Sequence, residues 1–216
     1  MSLELVTFPY CPFGQRCLIA LHEKGVAFDT TFVELDDPPD WLAGVSPLGK
    51  VPVLRTRGKA IFDSAVINEY LDETIEPSLY PVDALERALQ RSWVAFAGEL
   101  LTAQVAVYKA KSFRSFEEKL EKLGELVMLL AAAPMAGPFF GGARFSLVDA
   151  AYAPFFLRAR IMQGRHEGLG PLPAGLEAWA EALARRPSVI RSVPPEFDSG
   201  YLGFLRGKGS WLLGAD

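Results

Sequence analysis

Near residue 80 the hydrophobic pattern of this chain changes period. Before that point short strand-like runs alternate with helix-like stretches; beyond it strand signals nearly vanish. Apolar residues at every second position bury one face of a strand, and those about every 3.6 positions bury one stripe of a helix. The switch therefore requires a mixed first half and a helical second half. Leu3 to Phe8 reads as a strand, and Pro12 to Lys24 as a helix with Cys17, Leu18 and Leu21 on its apolar side and Gly25 as its stop. Phe28 to Val33 reads as a second strand. Val51 to Arg55 and Ala60 to Phe62 flank Thr56-Arg57-Gly58-Lys59, a tight turn between antiparallel strands. Ser64 to Glu73 reads as a helix with Ala65, Ile67, Tyr70 and Leu71 toward a core. The first crossover makes two strands parallel and the hairpin adds antiparallel ones, an α+β half of about 80 residues. Ile75 to Pro81 is the expected linker.

Helical stretches follow at Asp83 to Lys111, Phe116 to Ala133, Leu147 to Met162 and Leu176 to Arg186. Ser115-Phe116-Glu117-Glu118 and Ser146-Leu147-Val148-Asp149 fit the capping-box pattern, in which an N-cap hydroxyl and an acidic side chain three residues on satisfy free backbone N–H groups. The tail from Pro194 is rich in Gly, Phe and Trp without clear periodicity. Half of the 216 residues are hydrophobic, which excludes disorder, and a net charge of -4 offers no basic surface for a nucleic acid. The richest apolar stretch, Leu123 to Phe140, is interrupted by Glu125, Pro134 and Pro138, so no membrane span is expected. No targeting segment is visible at the N-terminus. Two cysteines make no disulfide scaffold, and a reducing cytoplasm is the expected compartment. Together with His22 and His166 they make no zinc set, so no metal is expected.

Three segments carry candidate chemistry. In Pro9-Tyr10-Cys11-Pro12-Phe13-Gly14-Gln15-Arg16, Cys11 lies at the start of the first helix, with Pro12 where a missing N–H costs nothing. Free N–H groups, the helix dipole and Arg16 all favour the thiolate there, which predicts a depressed pKa and a reactive sulfur. A buried, inert cysteine is the competing reading. In Ser46-Pro47-Leu48-Gly49-Lys50-Val51-Pro52-Val53-Leu54, a proline entering a strand marks an edge or a cis bond, or an ordinary strand entry. In Phe62-Asp63-Ser64-Ala65, Ser64 is expected to cap a helix or to meet a ligand carboxylate, and Asp63 to meet an ammonium.

These segments, in this order, resemble the thioredoxin-like domain of the glutathione transferase superfamily, and the fit extends over essentially the whole chain. Phe145-Ser146-Leu147-Val148-Asp149-Ala150-Ala151 is similar to that family's capping box on a core helix. The Cys-Pro-Phe start with Gln15-Arg16 resembles the omega class and its dehydroascorbate reductase relatives, with further agreement at Asp40-Trp41 and Tyr70-Leu71-Asp72-Glu73. The resemblance implies a thioredoxin-like α+β domain over residues 1–76 followed by an all-α domain over 82–216. It implies that Cys11 forms a mixed disulfide with glutathione and that Phe13 lines the same pocket. Val51 pairs through its backbone with the cysteinyl part ahead of a cis Pro52, and Asp63 and Ser64 hold the γ-glutamyl end. Ser146 and Asp149 are structural. Omega-like proteins often carry a lysine shortly before the Trp41-like position, for the glycyl carboxylate. Here Asp36-Asp37-Pro38-Pro39-Asp40 occupies that stretch, leaving Lys50 in the next loop as the candidate base.

The function so implied is a glutathione-dependent thiol transferase or reductase, with glutathione as cosubstrate and no tightly bound cofactor. Its partners are small disulfides, glutathionylated thiols, dehydroascorbate or electrophiles, and a second copy of the chain in a homodimer. The alternative is a non-catalytic binding or regulatory member of the same superfamily. Cys17 lies six positions beyond Cys11 and is carried around the helix away from it, which predicts a monothiol mechanism.

Overall fold

The computed structural model describes residues 2–214. Strands β1 (Leu3–Thr7), β2 (Asp29–Phe32), β3 (Val53–Thr56) and β4 (Lys59–Phe62) form one sheet in the order β2-β1-β3-β4. β1 and β2 run parallel; β1 with β3, and β3 with β4, are antiparallel. Helix α1 (Pro12–Lys24) makes the parallel crossover and stops at Gly25, whose φ of 64° is open to glycine without a Cβ penalty. In the β3–β4 hairpin Arg57 and Gly58 take φ of 50° and 70°, the two positive angles that a two-residue turn matched to the strand twist requires.

Both faces of the sheet are covered. Leu3, Leu5 and Leu54 pack with Ile19 and Leu21 of α1 and with Ile67 and Leu71 of α3 (Ser64–Thr74), while Val6 and Val53 meet Val33 and Leu42 on the other side. Leu42 belongs to α2 (Trp41–Val45), a helix too short to show a period in the sequence.

The segment after α3 is fixed by one buried charge. Lys24 Nζ donates to Asp72 Oδ1 at 2.7 Å and to the carbonyls of Ile75 and Pro77 at 2.6 and 2.7 Å. Asp72 in turn accepts from Ser78 Oγ and from the Leu79 N–H. All three ammonium protons have an acceptor, so the expected linker is a tethered segment.

The second half is helical: α4 (Ala84–Tyr108), α5 (Phe113–Ala131), α6 (Leu147–Met162), α7 (Ala174–Ala184), α8 (Pro187–Arg191) and α9 (Phe197–Gly207), closed by a 3-10 turn at Trp211–Leu213. Every residue of α6 from Leu147 to Phe156 is buried. Asp149 anchors its start. Its Oδ2 accepts from the Ser146 N–H and Oγ at 2.8 and 2.6 Å, and its Oδ1 from the Phe140 N–H and Trp179 Nε1 at 2.9 and 2.7 Å. The expected cap at Ser115 is displaced. Helix α5 begins at Phe113, with Ser112 Oγ accepting the Ser115 N–H, and Ser115 lies in the first turn accepting from Lys119. The tail past Pro194, aperiodic in the sequence reading, contains α9. Against the first half, α6 packs on α1, and Arg186 grips Glu23 of α1 through Nε and Nη2 at 2.8 and 2.7 Å. No helix among the described residues is long and apolar enough to cross a membrane.

Candidate functional site

Cys11 is the N-cap of α1, in an extended conformation with φ of -73° and ψ of 115°. Its Sγ accepts the Gly14 N–H at 3.3 Å and lies 3.9 Å from the Val51 carbonyl. Gly14 is obligatory for this approach. A Cβ there would sit 1.8 Å from Thr7 Oγ1, so any side chain would push the first turn of α1 off the end of β1. Val51 precedes Pro52 through a cis peptide bond, and its carbonyl lies opposite the sulfur.

The electrostatics depart from the sequence expectation. Burial pushes the Cys11 thiol above its ordinary value. The Gly14 and Phe13 N–H groups and the charges of Arg158 and Arg16 pull it down by less. The expected depression rested on the helix end alone. Cys11 is half-buried, and the sequence could not show how much protein surrounds its sulfur, a condition that disfavours the charged form. Cys17 is fully buried, and burial drives its thiol far above the ordinary range.

The other candidates fall into two groups. Phe13 is half-buried, and the Arg16 guanidinium lies 5.5 Å above its ring. Arg16, itself buried, donates from Nε to Ser64 Oγ at 2.8 Å and also from Nη2. Ser64 is therefore not the cap of α3. Asp63 is, taking the N–H groups of Ala65 and Val66 at 2.8 and 3.3 Å. Its φ of 69° turns the chain so that its own carboxylate reaches back over the helix start, and Ser64 becomes the first helical residue, facing inward. Arg16 thus links Cys11's helix to the Asp63–Ser64 turn. Lys50 stands apart, exposed, with its backbone N–H donated to Ser46 Oγ.

The contribution of Arg158 and of α9 was not read from the sequence. Arg158 of α6 is fully buried and donates to Gln15 Oε1 at 2.6 Å, the Pro154 carbonyl at 2.9 Å and the Tyr10 carbonyl at 3.0 Å. Its guanidinium lies 5.2 Å from the rings of both Phe197 and Tyr201. Those residues, with Phe204, form an aromatic wall on α9 against Tyr10. Gly200 makes room for it, since a Cβ there would lie 2.3 Å from the Tyr10 hydroxyl. The spacing of Phe197, Tyr201, Phe204 and Leu205 follows a helical stripe, the signal that would have found α9. Together these elements make a thiol at a helix end, a backbone carbonyl opposite it, a polar turn joined to it by an arginine, and an aromatic wall.

Comparison with known proteins agrees with this architecture. The family model for the glutathione S-transferase N-terminal domain matches residues 10–74, and that for the C-terminal domain matches residues 109–185. The chain is 30% identical over 192 residues to glutathione S-transferase omega-1 of Rattus norvegicus, covering 86% of this chain and 78% of that protein. It is 31% identical over 183 residues to glutathione S-transferase DHAR2 of Arabidopsis thaliana, covering 82% and 81%. The crystal structure of a rice glutathione transferase in complex with glutathione superposes with a TM-score of 0.80 at 29% identity, covering 95% of each chain. With a thioredoxin-like first domain and a helical second one, and with omega-class and DHAR proteins among its relatives, the chain belongs to the glutathione S-transferase superfamily.

Proposed function

We propose that the protein is a glutathione-dependent thiol transferase or reductase that works through a mixed disulfide on Cys11. The observation that carries the reading is the position of Sγ, which accepts the Gly14 N–H at the start of α1 and faces the Val51 carbonyl. A thiolate formed there is held by the same N–H, and a cysteinyl backbone laid along Val51 brings a second sulfur to it. Cys11 attacks a glutathione-containing disulfide, one sulfur leaves as a thiolate, and glutathione remains on Cys11. A second glutathione then attacks that sulfur, releases oxidised glutathione and restores the thiol. Cys17 takes no part, since it is buried and donates its S–H to the Phe13 carbonyl at 3.5 Å and the Ser64 carbonyl at 3.6 Å. Conjugation to electrophiles is the minor activity, because a cysteine here traps glutathione covalently.

Glutathione acts as a cosubstrate, its γ-glutamyl end at Asp63 and Ser64 and its cysteinyl part along Phe13 and Val51. A homodimer is supported by exposed apolar residues on both halves, Phe62 and Val66 in the first and Leu85 and Leu89 in the second. The proposed compartment is the cytoplasm, where a free thiol stays reduced.

The test is a whole-protein mass after incubation with oxidised glutathione. One glutathione added, on a peptide containing Cys11, supports the reading. An unmodified Cys11 in folded protein overturns it in favour of a non-catalytic binding protein, a reading that the raised thiol pKa would suit.

A further inference from the structure

Past the aromatic wall, two lysines share one ring. Lys109, at the end of α4, holds Nζ 5.1 Å from the centroid of Phe204, and Lys208, at the end of α9, holds its own 5.7 Å from the same ring. Phe204 stacks on Tyr10 with centroids 5.3 Å apart, and Tyr10 immediately precedes Cys11. Lys208 is ion-paired with Asp36, which reaches it from the acidic loop after β2. For Lys109 no carboxylate lies within ion-pair distance among the described residues. Its pKa is lowered by burial and then by the charge of Lys208, while Cys11 and Asp36 act in the opposite direction.

Among the described residues, two ammonium groups therefore face one carboxylate, and the balance of these three groups is positive. That carboxylate is weakly held. Asp36 is 81% exposed, and an ion pair so open to water contributes little. A carboxylate arriving with a ligand can displace it and meet both lysines. The first half supplies only acidic residues and prolines in the stretch Asp36 to Asp40, and the two cations over Phe204 come from the ends of α4 and α9.

We propose that Lys109 and Lys208 form a carboxylate-binding subsite for the ligand that reacts at Cys11, with Asp36 as the internal carboxylate that the ligand displaces. This rests on the thiol-transfer reading. The carboxylate has two possible sources, the glycyl end of glutathione or an acidic group on the second substrate.

The experiment measures the rate at which Cys11 is modified by disulfides, read by whole-protein mass. Each reaction is self-balanced: the Cys11 thiolate attacks one sulfur, the S–S bond breaks, and the other half leaves as a thiolate. Two pairs of probes are compared. Oxidised glutathione is set against its glycyl diester, and 3,3′-dithiodipropionate against the neutral 2-hydroxyethyl disulfide. The wild type is expected to react about tenfold faster with the charged member of at least one pair. The first pair identifies the glycyl end, and the second an acidic substrate. Lys109→Met and Lys208→Met, which keep an apolar stem over Phe204, are expected to remove the preference. Asp36→Asn is expected to increase it, because the competing carboxylate is gone. These opposite signs separate a displaced carboxylate from a structural latch, since loss of a latch would move Asp36→Asn and Lys208→Met the same way. Equal rates within both pairs, or parallel losses in those two variants, overturn the subsite while leaving the chemistry of Cys11 in place. A Cys11 inert to all the probes overturns the thiol-transfer reading and the subsite with it.

Discussion

The two ends of α1 are built on opposite plans. At its C-terminal end, Gly25 closes the helix in a left-handed conformation, and Lys24 gives each ammonium proton an acceptor. At its N-terminal end, the cap is a sulfur accepting one N–H at 3.3 Å. Around that end Thr7 Oγ1, Arg16 Nη1 and Arg158 Nε are buried without a hydrogen-bond partner among the described residues. An unsatisfied buried polar group costs on the order of 1–3 kcal/mol, so a protein selected for stability alone would not gather several of them. The lesson is that stability is concentrated at the end of α1 remote from the thiol, about 20 Å along the helix. That distance leaves the other end free to be arranged for chemistry.

Breaking each end should therefore give different symptoms. The largest effect is expected from Cys11→Ala, which should lower thiol transfer at least about a thousandfold by removing the nucleophile. Its melting temperature should stay close to that of the wild type, because the sulfur contributes one long hydrogen bond. Activity retained in folded Cys11→Ala would end the comparison. The converse is Lys24→Met, expected to destabilise the fold by about 3–5 kcal/mol because Asp72 is left as an uncompensated buried charge. Turnover per folded molecule should be unchanged, as shown by denaturant melts alongside assays below the transition.

A finer cut concerns the turn joined to α1 by Arg16. Ser64→Ala is expected to raise the KM for glutathione more than it lowers kcat, and to cost about 1–3 kcal/mol because the buried Arg16 loses its acceptor. Asp63→Ala should cost about 1 kcal/mol as loss of a helix cap. If Ser64→Ala melts earlier but binds glutathione unchanged, the hydroxyl serves only Arg16. The pH dependence of Cys11 sharpens the same picture. Its pKa is raised, so the reactive thiolate fraction should keep climbing with pH past the ordinary thiol range. Alkylation by iodoacetamide should follow that rise, and a plateau near neutrality would show that burial does not dominate. The smallest effect belongs to Cys17→Ala. Glutathione-driven turnover should be nearly unchanged, with about 1 kcal/mol of stability lost from the core.

What the sequence disclosed, and what it did not, follows from range. Local signals held. Pro12, Gly25 and the apolar stripe between them bound α1, and Ser146 with Asp149 marks the start of α6, because each device acts within a few residues. Where two local devices competed, sequence alone chose the wrong member. Asp63 caps α3 in place of Ser64, since its positive φ brings its carboxylate to the N–H groups; Ser112 similarly pre-empts Ser115. Long-range partnerships left no trace. Arg158 meets Gln15 and Tyr10 across more than a hundred residues, and Lys24 finds Asp72 across 48. The same is true of the enclosure of Cys11, the one electrostatic expectation that failed.

The Asp149 junction has a consequence for watching this protein unfold. Of the four tryptophans, Trp179 is 1% exposed and donates its indole N–H to Asp149, whereas Trp41 is exposed and Trp93 and Trp211 are half-buried. That indole proton can exchange with deuterium only when the junction of α6, α7 and the Phe140 loop opens, so it serves as a clock for the cooperative unit rather than for local fraying. Its exchange free energy, measured by NMR in deuterated water, should match the unfolding free energy from denaturant melts. The exposed Trp41 proton should be lost at once, which gives a single spectrum both the start and the end of the timescale.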